Sequence, residues 1–342
     1  MYKAKLWQVA FLVMLNVGCT QNNTSTEKTI DFTQTNQVCL GRIELTVPKE
    51  TDIQFGQFSF DGNQFEIDST ITNLIHYETY IAERIEEISE QKHESTDSLL
   101  KLHKIIVLDH NHSSHVIAYR PTPFSYDAFL IEAYLYLNHK TIKLVNLTDD
   151  AHFEETLSKV ENTLKNFKLF SAKQPNEAGI CWQEYFLSDP MTENRPFLTE
   201  AILKFPSYPE LKFNVENRGR FESDQSLIKT IQDNKARLPL NPLIYNEKVL
   251  REIEKEINQL KGEEVITHYK LRLLFSRGFE TGAWQYLGSI NDPKDSYIYF
   301  GLESADKYRN KSLNSPTNPS KVLELYDFIL NSIHVAKHNQ FK

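Results

Sequence analysis

The chain has 342 residues, 40% of them hydrophobic and 12% aromatic, with 16 Tyr and 21 Phe, so it has enough apolar side chains for a packed body and is no disordered tail. Its formal charge is -8 and no Lys/Arg cluster offsets it, which excludes nucleic acid as a partner and favours a basic protein surface instead.

The first element is an export signal. Lys3 and Lys5 precede an apolar run, Leu6 to Val17, broken only by Gln8 and Asn16. That run is shorter than the roughly 20 residues a membrane span needs, and it fits a signal h-region. Gly18-Cys19 then resembles a lipobox, although Asn16 stands where Leu is usual. Cys19 is expected to become the lipidated first residue, after a signal peptide of residues 1–18. A plain secretory signal or a short anchor is the competing reading. Thr20 is not the Asp that commonly retains lipoproteins at the inner membrane, which points to the periplasmic side of the outer membrane. Residues 19–38, rich in Thr, Asn and Gln, read as a polar tether.

Once Cys19 is acylated, Cys39 and Cys181 remain, an even pair in an oxidising compartment and in no metal-spaced motif. A disulfide is the preferred reading over two buried thiols.

From Cys39 the chain alternates. Ile43, Leu45 and Val47 predict a strand ending at Pro48, and Asp61-Gly62 between Phe-rich arms predicts a hairpin. Residues 72–92 switch to helical period through Leu74, Tyr77, Ile81, Ile85 and Ile88. Four strands follow, LHKIIVLD, SHVIAYR, AFLIEAYLYL and KTIKLVNL, then a helix starting near Asp149 or Asp150. The stretch SAKQPNEAG contains a linker at 173–179, between domains 39–172 and 180–342. After it, FLTEAILKF and ELKFNV read as strands around Pro206 and Pro209. Asp224–Asn234 and Glu247–Gln259 read as helical. GEEVITHYKLRLLF, AWQYLG and SYIYFGL read as strands. Asn318-Pro319 opens a closing helix with Val322, Tyr326, Ile329 and Ile333 on one face. Both halves run strands, helix, strands, terminal helix. The fold class is therefore α+β, two domains that each pack helices on an antiparallel sheet, in an order consistent with duplication though no residue-level repeat aligns.

The chemistry-bearing patterns are thin. There is no nucleophile elbow, zinc helix, P-loop or dinucleotide fingerprint. Asp109, His110, His112 and His115, with Ser113 and Ser114, are the best enzymatic candidate, but they lie between two strands and read as a hairpin tip whose alternate side chains diverge. Gly262 reads as a helix C-cap, and Glu263 and Glu264 as the opening of a strand, on opposite faces. Trp284 and Tyr286 read as core or interface aromatics. No catalytic, cofactor or metal site is assigned.

Several short motifs then resemble, in order, the two-domain immunity proteins that protect bacteria from type VI secretion phospholipase effectors. Cys39-Leu-Gly-Arg42 and its strand resemble the opening of that family's first domain, and Ala178-Gly-Ile-Cys181 the opening of its second. ILKFPSYPELKFNV, Gly262-Glu263-Glu264, Phe279 with Trp284, and LYDFILNSIHV resemble later segments, with Tyr326 replacing a tryptophan. The glycine and basic residues usual before Gly-Glu-Glu are missing from EKEINQLKGEE. The likeness covers residues 39–335. It implies a non-enzymatic inhibitor that needs no cofactor, binds a cognate phospholipase effector over its lid or substrate entrance, and touches the membrane only through its N-terminal lipid. It also supports the cysteine pair, and it identifies no interface residues. A non-catalytic envelope scaffold lipoprotein is the alternative function, with a periplasmic hydrolase behind it.

Overall fold

The computed structural model describes residues 30–108, 113–170, 177–237, 245–271, 278–304 and 319–339. The first half opens with two hairpins, β1 (Thr35–Leu40) with β2 (Ile43–Pro48), and β3 (Asp52–Phe60) with β4 (Asn63–Asp68). Helix α1 (Leu74–Glu90) follows, then β5 (Leu100–Val107), β6 (Ser113–Tyr119), β7 (Ala128–Leu137) and β8 (Lys140–Asp149), helix α2 (Phe153–Asn166) and a short β9 (Phe167–Leu169). The second half repeats that order. It runs β10 (Gly179–Trp182), β11 (Tyr185–Ser188), β12 (Phe197–Phe205), β13 (Tyr208–Arg218), α3 (Leu227–Arg237), β14 (Tyr245–Ile257), β15 (Leu260–Leu271), β16 (Phe279–Tyr286), β17 (Tyr297–Glu303), α4 (Pro319–Leu330) and β18 (His334–Val335).

The two halves share one 12-stranded antiparallel sheet, ordered β14-β15-β16-β17-β13-β12-β3-β4-β8-β7-β6-β5. Exchanging each strand for its counterpart leaves that order unchanged when read from the other end. A pseudo-twofold therefore passes between β3 and β12, which pair from Phe197↔Phe60 to Lys204↔Asp52. The α+β class and the two-part order stand, and the duplication shows at the level of elements.

The halves also exchange their ends. β18 pairs with β2 through His334↔Glu44 and Val335↔Ile43, and β9 pairs with β11 through Phe167↔Leu187. Leu40, Ile43, Leu45 and Val47 bury among Phe205, Phe213, Phe300, Tyr326 and Ile329 of the second half. Reciprocally, Ile180, Trp182, Tyr185 and Leu187 bury among Phe58, Phe65, Leu144 and Leu164 of the first. Each core is completed by the other half, so separating them would expose both to water.

Local chemistry explains the turns. Asp61 and Gly62 have φ of +50° and +84°, as a tight two-residue hairpin turn demands. Gly41 and Gln183, each two residues after a cysteine, both lie in the left-handed region at the tips of β1–β2 and β10–β11. At Gly41 a side chain is also excluded, because a Cβ would stand 2.3 Å from Asn217 Oδ1. Asn73 caps α1 by accepting from His76 N, and Tyr77, Ile81 and Ile88 are its buried stripe.

Several expectations are corrected. Glu247–Gln259, expected as a helix, is strand β14 and its turn. Val249, Ile253 and Ile257 recur every four residues among strong helix formers, which imitates an amphipathic helix. Pairing with β15 from Glu247↔Tyr269 to Ile257↔Leu260 overrides that preference. Asn258 and Gln259, both at positive φ, close the hairpin. Gly262 is accordingly inside strand β15 and caps no helix. Residues 30–38 belong to the folded body and not to a tether: Ile30 is buried, Phe32 packs on Phe328 with ring centroids 4.8 Å apart, and β1 begins at Thr35. Helix α2 starts at Phe153, after Asp149 Oδ1 accepts from His152 N. Most of the linker at 173–179 lies outside the described residues; Gly179 opens β10 and is buried.

Candidate protein-binding surface

Cys19 lies outside the described residues. Cys39 and Cys181 are joined by a disulfide with Cα atoms 5.6 Å apart. The two occupy equivalent places in the first hairpin of each half. Beside them Gly41 and Cys181 exchange backbone hydrogen bonds of 2.8 Å in both directions. The bond therefore locks the pseudo-twofold itself, where the exchanged hairpins meet.

The residues that carried hints of chemistry are dispersed or structural. Asp109, His110 and His112 fall outside the described residues. Ser114 and His115 lie on β6, and His115 is buried with Nδ1 3.2 Å from His103 Nε2 and Nε2 3.6 Å from Glu78. Burial holds its imidazole below the ordinary range, opposed by Glu78 and aided by His103. Among the described residues no group of His, Cys, Asp and Glu is arranged to hold a metal.

Glu263 and Glu264 split to opposite faces. Glu263 accepts from Ile228 N at the start of α3, an anion at a helix N-terminus. Glu264 is fully buried, 2.9 Å from Lys255 Nζ and near Arg251, which also grips Asp327 of α4 with contacts of 2.6 and 2.7 Å. Burial opposes the charge on Asp327, but Arg251 and Lys255 outweigh it and hold its carboxyl below the usual range. Trp284 is buried core, its indole donating to Lys255 O at 3.0 Å. These side chains weld β14 and β15 to α4.

Arg42 is a second weld, one the sequence did not single out. Its guanidinium reaches Asp189 at 2.7 Å and lies 4.2 Å from the Phe197 ring centroid, while its backbone N–H donates to Asn217. Burial pulls its pKa down to about 10 although Asp189 favours the charge. A buried charge so paired tolerates no truncation of its partner.

With the core groups committed, the surface remains. One face of the sheet is covered by α2, α4 and the two small three-stranded sheets. The other carries α1 over β6 and β7, and α3 over β15 and β16. Between these helices the central strands stay open among the described residues. Gln54, Gln64, Glu66 and Leu147 are exposed there, and Leu198, Glu200 and Ile202 are half-buried. Helix α1 borders this floor with Glu78, Glu83, Glu86, Glu87 and Glu90, and its one arginine, Arg84, is held by Glu132 and Glu87. A cleft of about 620 Å³ lies near α3, lined by Ser226, Leu227, Glu254, Lys255, Glu263 and Tyr286. The open floor, acidic border and cleft make the surface suited to a protein, with alternating apolar and charged contacts. Sequence reasoning missed the floor because it exists only once β3 pairs with β12.

The family model described as Tle cognate immunity protein 4 N-terminal domain matches residues 36–179, and that of the C-terminal domain matches residues 173–337. No curated protein matches the chain. Among solved structures, the apo immunity protein TplEi of the type VI secretion system from Pseudomonas aeruginosa is similar at TM-score 0.73 and 16% identity, covering 90% of this chain and 99% of that one. A Tle4–Tli4 complex gives the same values. TplEi complexed with an "L" peptide matches at TM-score 0.68 and 16% identity, over 90% of this chain and 100% of that chain. At that identity the likeness speaks for the fold, and the two domain models, end to end over the folded body, speak for the family. The chain belongs to the Tle cognate immunity protein 4 family, and it is an immunity protein and not an enzyme.

Proposed function

We propose that this protein is a periplasmic lipoprotein that protects its own cell by binding a cognate Tle phospholipase effector and occluding the lid or substrate entrance. The observation that carries the reading is the match of both family domains, in order, to one interlocked body. A solved relative is a Tle4–Tli4 complex, which supports direct binding of an effector as the means of immunity. An enzyme that attacks bilayer lipid must open an apolar entrance. A partner that packs over it removes the open state from the accessible ensemble, and needs no chemistry of its own. A rigid, disulfide-locked body suits this role, because a preordered surface loses little conformational entropy on binding.

The anchor follows from Gly18-Cys19 and the short apolar run before it. Multiple acyl chains hold a protein at a membrane where one does not. Cells making the neighbouring Tle lipase in the periplasm, with wild type or Cys19→Ser, test both parts. Wild type should protect and fractionate with membrane, and Cys19→Ser should lose the membrane fraction. Death of cells carrying wild type would reject immunity, and equal solubility of the two proteins would reject the anchor.

A further inference from the structure

A cavity of about 400 Å³ opens on the exposed floor of the sheet, where β4 and β8 run beneath α1. Its lining includes Glu66, Asp68, Tyr80, Tyr134, Thr141 and Lys143. Thr141 is 1% exposed, yet its Oγ1 has no hydrogen-bond partner. Leaving a buried hydroxyl unpaired is costly, so an orphan on the wall of an open cavity marks a contact to be completed from outside. Glu66 is exposed and makes no ion pair among the described residues. The basic wall residue is already neutralised: Lys143 Nζ lies 2.8 Å from Glu132, which also takes Arg84 and the Tyr134 hydroxyl. Tyr80 stands edge-on to Tyr134 with ring centroids 5.7 Å apart, giving the cavity an aromatic wall.

We propose that this cavity is the socket for an arginine side chain presented by the cognate effector, an inference that rests on the immunity reading and names an anchor for it. The chemistry is specific. A guanidinium offers N–H donors in a planar fork to a free carboxylate, here Glu66, and a further N–H to an acceptor beside it, here Thr141 Oγ1. Its flat face packs on an aromatic ring, here Tyr80, better than an ammonium does. The acids along α1 set the field that draws a basic side chain in, and exposed charges of that kind act on approach more than on the bound state. Arginines in desolvated pockets are the usual hot spots of protein interfaces, so one filled socket should outweigh many rim contacts.

The test is calorimetric titration of the full mature protein with the Tle lipase encoded beside it, using wild type, Glu66→Gln, Thr141→Val and Glu90→Gln. Thr141→Val removes an unpaired hydroxyl while keeping the shape, so it should leave thermal stability unchanged or raised. Glu66→Gln and Thr141→Val should each weaken binding about tenfold or more, while Glu90→Gln, on the rim, should change it less than about twofold. Wild-type affinity in both socket variants would overturn the socket while leaving immunity standing. Equal losses in Glu66→Gln and Glu90→Gln would reduce it to a general field effect and overturn it likewise. Absence of binding by wild type would sink the immunity reading and the socket together.

Discussion

A methyl group at Gly262 would stand 2.6 Å from the Trp284 indole and 2.5 Å from the Gln285 carbonyl oxygen. Gly262→Ala should therefore push Trp284 from its bond to Lys255 O and destabilise the protein by about 1–3 kcal/mol, read as a lower urea midpoint with unchanged slope. A midpoint equal to wild type would mean that the strands separate freely there. The sequence marked this glycine and misread its role. A C-cap and a close strand–indole contact both demand glycine, and only the neighbour, distant in sequence, tells them apart. His115 is the other residue-scale test. Burial holds its imidazole neutral in the folded protein, whereas the unfolded chain takes up a proton near pH 6.5. The unfolded state thus binds more protons below that pH, and stability should fall as pH drops through about 6.5 toward the lower folded value. The depressed carboxyls Glu132, Asp224 and Asp327 titrate well below this window. Urea unfolding at about pH 7.5 and about pH 5.5 should show a loss in wild type that shrinks in His115→Gln. An identical loss in both would place the acid sensitivity elsewhere.

At the scale of elements, local chemistry was legible wherever it decided the structure. The Asp61-Gly62 hairpin, the α1 stripe and the strands β6 to β8 follow from turn residues and period alone. β14 was illegible because its composition favours a helix, and an edge strand rich in Lys, Glu and Arg looks like one while resisting edge-to-edge aggregation. The hairpins that open each half illustrate the same limit. Cys39 and Cys181 were visible as a pair, but not the exchange that places each hairpin on the other half's core. Their bond closes a separation of 142 residues. A Cys39→Ser, Cys181→Ser double variant should lose about 2–5 kcal/mol of unfolding free energy while keeping its sheet signature in circular dichroism, because β9 and β18 still tie the halves. Unchanged stability would show that the exchanged strands alone set it, and loss of the sheet signature that the bond is required to fold.

The whole molecule is a doubled unit closed around its own pseudo-twofold, with a protected core face and an open floor between α1 and α3. Sequence order showed the doubling, since strands, helix, strands and helix recur. It did not show that β3 would pair with β12, because that contact joins residues about as far apart as the repeat is long, and no local pattern encodes it. The candidate surface was hidden for the same reason: Glu66, Thr141, Leu198 and Ile202 read as ordinary alternating strand residues until the two half-sheets merge. The central claim is that this assembled surface silences a lipase by binding it. The most direct measurement is a titration of the purified Tle lipase with the mature, disulfide-bonded protein, following lipid hydrolysis. The account predicts a linear loss of activity that ends at one equivalent, with hydrolysis returning only as the complex dissociates. Full lipase activity at saturating protein would contradict it.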